Sequence, residues 1–322
     1  MDLIASRETE NHTRVQEFIL LVFPGTWYFQ MSLAELFSVI YVLTILGNVP
    51  IIALMGTHPR LHTPMYFFLC NLSFLEIWYT TACVPKAIGV MLETSQTISF
   101  TACKMQLIFS LATGSTECFL LAVMAYDRYL AICHPLHYSS LMNRTFSAQL
   151  VLLSWLCGFL AISVLAAIIS RLSFCGPNII NHFLCDIDSW IALSCTDTHL
   201  VELVTFILSI IVVVVSCVIT FVSYVYIIST ILRIPSAQGR QKAFSTCSAH
   251  LTVVTIWYSS LTFLYVNSAS GLDLVVAVLY SVVPPVMNPV IYSMRNKELK
   301  VALRKLTGWR LFTENKRSVF LM

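Results

Sequence analysis

Met124-Ala125-Tyr126-Asp127-Arg128-Tyr129 closes an apolar run that begins near Phe109, and the chain reads on as Leu130-Ala131-Ile132-Cys133-His134-Pro135-Leu136. An acid, a base and two tyrosines therefore stand together at the end of a segment long enough to cross a bilayer. Charges this close to hydrocarbon are costly and tend to be functional, unless they merely end a helix among lipid headgroups. Which reading holds depends on the rest of the chain.

Composition settles the broad class. Of 322 residues, 57% are hydrophobic and 11% charged, with a mean hydropathy of +0.80. A soluble domain carries about 25% charge. Apolar runs of about 20 residues recur, the length a helix needs to span hydrocarbon. The net charge of +3 gives no electrostatic footprint for nucleic acid. No GxGxxG, P-loop or HExxH motif is present. Met1 to Glu17 is polar and mixed in charge, unlike a cleavable signal peptide. Phe18 to Phe23 is apolar but far too short to span, so the first true span is expected to serve as an uncleaved insertion signal.

Seven spans are predicted, at roughly 31–56, 64–86, 101–127, 146–170, 201–232, 244–266 and 272–294. Backbone groups in lipid must bond internally, so each span is expected to be a helix. The predicted fold is an all-α membrane protein, a seven-transmembrane helix bundle in one domain over 1–322, with a tail at 1–30, the bundle at 31–294 and a second tail at 295–322. No internal repeat is visible, which weakens a transporter or channel reading. An intramembrane enzyme is a third reading, for which a pair of buried acids could serve.

Lys and Arg set the orientation. They divide 14 against 5 between the two sides, which puts the N-terminus outside and the C-terminus in the cytoplasm. Asn11-His12-Thr13 is then a glycosylation acceptor in the outer tail. Asn71-Leu72-Ser73 and Asn143-Arg144-Thr145 match the same pattern but fall in a span and on the inner side. Of 11 cysteines, Cys103, Cys175, Cys185 and Cys195 fall at or beyond the outer face, where disulfides persist. Four cysteines allow three connectivities, and spacing does not choose among them.

On a 3.6-residue period Ser110, Gly114, Glu117, Leu121, Met124 and Arg128 share one face of the third span. That face is small and polar outside, acidic in the middle and basic inside. A packing stripe of small residues is the plainer account of Gly114. Glu117 at mid-depth must be protonated, paired or coordinating. Glu76 in the second span is its obvious partner, and two facing carboxylates titrate as a coupled pair. They are expected to share a proton or to hold a cation such as sodium; two separately protonated acids are the alternative. No other metal or cofactor is expected. Asn288-Pro289 removes a backbone hydrogen bond and lets the seventh span kink. Leu299, Ala302, Leu303 and Leu306 among Lys297, Lys300, Arg304 and Lys305 fit a short basic amphipathic helix on the inner leaflet. No cysteine follows Cys247, so that tail has no palmitoylation site.

An ordered set of motifs resembles the rhodopsin-like G-protein-coupled receptors, and within them the olfactory receptors. It comprises Gly47-Asn48, Pro64 to Leu69 with Asn71-Leu72-Ser73-Phe74, Met124 to Tyr129 with His134 to Tyr138, Ser223-Tyr224, Lys242 to Leu251, and Pro285 to Asn296. The matches cover nearly the whole chain. The resemblance implies a bridge Cys103–Cys185 and a second, Cys175–Cys195, holding the loop Arg171 to Thr198 as a structured lid. It places Asn48 and Asn288 beside the two acids, although olfactory receptors more often carry Asp where Glu76 stands.

The resemblance also implies a switch. At rest Arg128 pairs with Asp127 or with polar groups of the sixth helix; in the active form it turns inward, near Tyr224 and Tyr292. Tyr129, Asn288 and Pro289 belong to the same machinery. His250 either bonds toward the third helix or is a satisfied core histidine. His137, Tyr138, Arg233, Arg240 and Lys242 form the cytoplasmic face, and the implied partner is a stimulatory, olfactory-type G protein that raises cyclic AMP. The implied pocket takes Ser110, Leu111, Gly114 and Ser115 from the third span and Leu208, Ser209 and Val212 from the fifth. Tyr258, at its base, Leu261, Thr262 and Tyr265 come from the sixth, and Val278 and Ser281 from the seventh. Such a lining suits a small, neutral, mainly apolar volatile molecule. The expected place is the plasma membrane, in the cilia of olfactory neurons.

Overall fold

A computed structural model of the chain describes residues 15–21, 26–59, 62–175, 178–267, 284–289 and 291. In chain order the elements are β1 (Glu17–Leu20), α1 (Trp27–Thr57), α2 (Pro64–Met91), β2 (Thr97–Ser99), α3 (Phe100–Cys133), α4 (Tyr138–Leu141), α5 (Arg144–Ile169), β3 (Ile179–Ile180), α6 (Ile187–Ala192), α7 (His199–Arg233) and α8 (Ala237–Asn267). Residues 284–289 are also helical. Five helices, α1, α2, α3, α5 and α7, are long and apolar enough to cross a membrane. α8 covers the predicted sixth span, and residues 284–289 fall in the predicted seventh. Most of the seventh span, Asn11, Tyr292 and the amphipathic tail lie outside the described residues.

The helices overrun the predicted spans because their hydrogen bonding does not stop where hydrocarbon does. The 34 residues of α3 rise about 51 Å, against about 30 Å of bilayer core. Their starts are set locally. Pro64 sits at the first position of α2, where a missing N–H costs nothing. Ser99 Oγ accepts from Ala102 N ahead of α3, and Asn143 Oδ1 from Phe146 N at 2.9 Å ahead of α5.

α3 is the central helix, packed against α2, α5, α7 and α8. Small residues let its neighbours approach. A Cβ built on Gly158 of α5 would lie 2.2 Å from Thr116 Oγ1, 2.9 Å from Thr116 N and 3.0 Å from Ala112 O. A Cβ on Gly47 of α1 would lie 2.8 Å from Pro289 Cγ. The Gly-Asn of the first span thus seats α1 against the proline of the seventh.

One feature is additional to the predicted helices. β1 pairs antiparallel with β2 (Phe18 opposite Ile98) and parallel with β3 (Ile19 opposite Ile179), in the order β2-β1-β3. This sheet covers one end of the bundle. Beneath it Phe18, Phe100, Phe174 and Trp190 pack with ring centroids 5.1–5.9 Å apart. Two disulfides tie the same end, Cys103–Cys185 and Cys175–Cys195, with Cα separations of 5.4 and 5.8 Å. These are the pairings the family resemblance implies. Lys86 Nζ adds a clasp, donating to Ser95 O and Ser95 Oγ at 2.8 Å and to Thr97 O at 2.6 Å.

Candidate ligand cavity and polar switch

Inside the bundle, toward the sheet-bearing end, lies a cavity of about 190 Å³. Ser110, Leu111, Gly114, Ser115, Leu208, Ser209 and Val212 all line it, so the predicted α3 and α7 residues are brought together. Thr205, Cys118, Ile162, Leu165 and Trp257 also line it and were not foreseen. The side chains of Leu261, Thr262 and Tyr265, and all of Val278 and Ser281, lie outside what the structure describes.

Tyr258, expected at the base of the pocket, lines a groove of about 940 Å³ between α7 and α8, with Cys217, Phe221 and Tyr224. Trp257 faces the cavity instead, its Nε1 donating to Cys118 Sγ at 3.4 Å. Neighbouring residues on a helix point about 100° apart, so Trp257 and Tyr258 face different hollows.

The cavity floor is acidic. Glu76 and Glu117 line it and are 2% and 7% exposed. Asn288 Nδ2 donates to Glu76 Oε1, and Glu117 interacts with both Glu76 and Asn288. Asn48 Nδ2 donates to Thr44 O at 3.0 Å and to Pro285 O at 3.2 Å. Its Oδ1 is buried with no partner among the described residues. An all-oxygen donor set with a spare carbonyl oxygen fits a hard cation such as sodium. It equally fits two carboxyls sharing a proton.

Further along α3, Asp127 is fully buried. Its Oδ2 accepts from Arg128 Nε at 3.0 Å and from Arg128 Nη2. Its Oδ1 accepts from Tyr138 OH, on α4, at 2.8 Å. Burial and then the Asp127 charge raise the Tyr138 phenol above its ordinary pKa, so it is a firm donor. Across the bundle Tyr224 OH is hydrogen-bonded to His250 Nδ1 at 2.8 Å, with the two rings nearly parallel. His250 is thus bonded to α7; on its other side the ring nears the Leu121 carbonyl of α3 without a closed hydrogen bond. Arg128 is close enough to act electrostatically on Tyr224. Tyr129 points elsewhere: its OH meets His134 Nε2 at 3.0 Å and its ring packs near Tyr226. His137 and Lys242 are exposed at the same end.

These groups form a polar seam along α3, from the cavity, through paired acids, to a buried aspartate that holds an arginine near the far end. The sequence model of the olfactory receptor family matches residues 37–308. Olfactory receptor 6F1 of Homo sapiens is 62% identical over 302 residues, covering 92% of this chain and 98% of the relative. Olfactory receptor 287 of Rattus norvegicus is 58% identical over 292 residues, covering 89% and 94%. Squid rhodopsin has the same fold, with a TM-score of 0.74 at 16% identity over 90% of this chain and 84% of that one.

Proposed function

Because the chain belongs to the olfactory receptor family, a group of multi-pass membrane receptors and not enzymes, we propose that it detects small, mainly apolar volatile molecules in the cavity beside Glu117 and signals through a stimulatory, olfactory-type G protein that raises cyclic AMP. The observation that carries the proposal is the continuity of α3, which lines the cavity with Ser110 to Cys118 and, about 15 Å further on, holds the Asp127–Arg128 pair.

The sheet and disulfides form the extracellular end, as the Lys/Arg bias requires, and the α4 end faces the cytoplasm, in the ciliary plasma membrane. In the arrangement described, Arg128 is held by Asp127, which Tyr138 braces. An agonist acts only through a difference in affinity between two arrangements. Filling the cavity shifts Trp257 and the acidic floor. α8 then moves relative to α3, Arg128 leaves Asp127, and the Tyr224–His250 pair opens toward it. Glu76, Glu117, Asn48 and Asn288 would hold a sodium ion or share a proton; a bound cation would neutralise the carboxylates and tighten the floor. The Asn288-Pro289 step supplies the bend.

A reporter assay for cyclic AMP against a chemically diverse volatile panel tests the reading, with Arg128 and Trp257 substituted as controls. Ligand-dependent signals lost on substituting Arg128 support it. Current or uptake in liposomes without any ligand-dependent signal would replace it with a transporter.

A further inference from the structure

The cavity wall holds more hydroxyls than it has to offer. Ser110 Oγ donates to Gln106 O and Thr113 Oγ1 to Phe109 O, both at 2.7 Å, so each is committed to its own helix. Two polar atoms are different. Thr205 Oγ1 on α7 and Glu117 Oε1 on α3 are buried without a hydrogen-bond partner among the described residues, and both residues line the cavity. A native fold rarely leaves such atoms unmatched, so each calls for a partner that enters the site.

The two atoms mark opposite ends. Thr205 follows Val204, which packs in the aromatic cluster beneath the sheet. Val212 lies about 10 Å further along α7 and packs in the same cluster as Cys118, next to Glu117. Between these ends the wall is mainly apolar, with Leu75, Leu111, Ile162, Leu165 and Leu208, and it also carries the Ser115 and Ser209 hydroxyls.

We infer that this chain, read as an odorant receptor above, is tuned to elongated neutral molecules with an oxygen at each end: a hydroxyl at Glu117, and a hydroxyl, carbonyl or ether oxygen at Thr205. The hydroxyl follows from the chemistry of a carboxyl group. A hydroxyl donates to an ionised carboxylate and both donates to and accepts from a protonated one. It therefore fits whichever state the Glu76–Glu117 pair adopts. An aldehyde, which only accepts, fits the protonated state alone; an ammonium fits the ionised state alone; a carboxylate is repelled by an ionised partner. The Thr205 hydroxyl donates and accepts, so any neutral oxygen matches it.

The test compares terminal diols of butane, hexane and octane with the matching monoalcohols, aldehydes and carboxylic acids, in cells expressing the full chain with surface receptor quantified. Thr205→Val keeps the branched shape and removes the hydroxyl. The best diol is expected to be about tenfold more potent than its monoalcohol on the wild type, and Thr205→Val to weaken that diol about tenfold, about 1.4 kcal/mol, while moving the monoalcohol less than about twofold. Ser154→Ala, which removes a hydroxyl bonded within α5 and outside the cavity, should preserve the diol's advantage. Diol and monoalcohol equipotent on the wild type, Thr205→Val weakening both alike, or an aldehyde or acid outranking the diol would each overturn the inference. If this panel is silent while a broad volatile panel signals, the inference alone falls; if both are silent with receptor at the surface, the receptor reading falls with it.

Discussion

Tyr138→Phe removes one hydrogen bond and leaves the ring in place. The phenol donates to Asp127 Oδ1 at 2.8 Å, and Asp127 is the residue that holds Arg128. The acceptor is fully buried and ionic, so the bond belongs to the charge-assisted class, worth about 1.5–3 kcal/mol. Tyr138 itself is only half-buried, which favours the lower figure, about 1.5 kcal/mol. If the bond belongs to the resting arrangement and not the active one, its loss moves the equilibrium toward the active form about tenfold. A receptor active in about 1% of molecules without ligand would become active in roughly 10%. The raised phenol pKa keeps the donor proton in place throughout the physiological range, so the effect should not vary with pH there. The assay is ligand-independent reporter signal per surface receptor, with the maximal agonist response as reference. Basal signal that is unchanged or reduced at equal surface level would refute the assignment of this bond to the resting state.

Four other outcomes are expected. Gly158→Val drives a side chain into Thr116 and the α3 backbone; overpacking of this kind costs about 1–3 kcal/mol, seen as a lowered melting temperature in detergent and less surface receptor. Trp257→Ala weakens agonist potency, because Trp257 faces the cavity, whereas Tyr258→Phe, on the α7–α8 groove, leaves potency within about twofold; the reverse order would restore Tyr258 to the pocket. Cys103→Ala opens a bridge closing a separation of 82 residues, worth about 4–5 kcal/mol in a chain-entropy account, so folded receptor should be largely lost from the surface; non-reducing peptide mapping that finds Cys103 free in the wild type would contradict the bridge. Glu117→Gln should abolish the dependence of agonist potency on sodium and pH that the wild type shows; if neither protein responds to either variable, the coupled-acid site is wrong.

What the sequence revealed and what it hid have physical causes. Spans were legible because hydropathy belongs to a run of residues, and α1, α2, α3, α5 and α7 each contain their predicted segment to within about two residues. The apolar stretch at Phe18 was seen but unplaced: four residues make a strand only when partners exist, and here they come from Thr97–Ser99 and Ile179–Ile180, far off in sequence. Aligning motifs brought together residues of α3 and α7 that share the cavity, but it singled out Tyr258 where Trp257 faces that cavity, because a depth in the membrane does not fix a rotation about the helix. Thr205 carries no sequence signal at all. Its hydroxyl differs from those of Thr113 and Thr116 only in lacking a bond to its own helix, which only coordinates reveal. His250 could be read as switch or as core; the structure bonds it to Tyr224, giving it a partner that spacing alone did not indicate.

The most direct measurement is the distance between spin labels on the exposed cytoplasmic-end positions Leu141 and Gln241, taken by pulsed electron resonance on receptor in lipid nanodiscs, empty and with agonist plus G protein. A shift of the population to a longer separation when both are bound is the predicted result. One unchanged distance distribution in the two conditions would contradict the claim that α8 moves away from the Asp127–Arg128 end of α3.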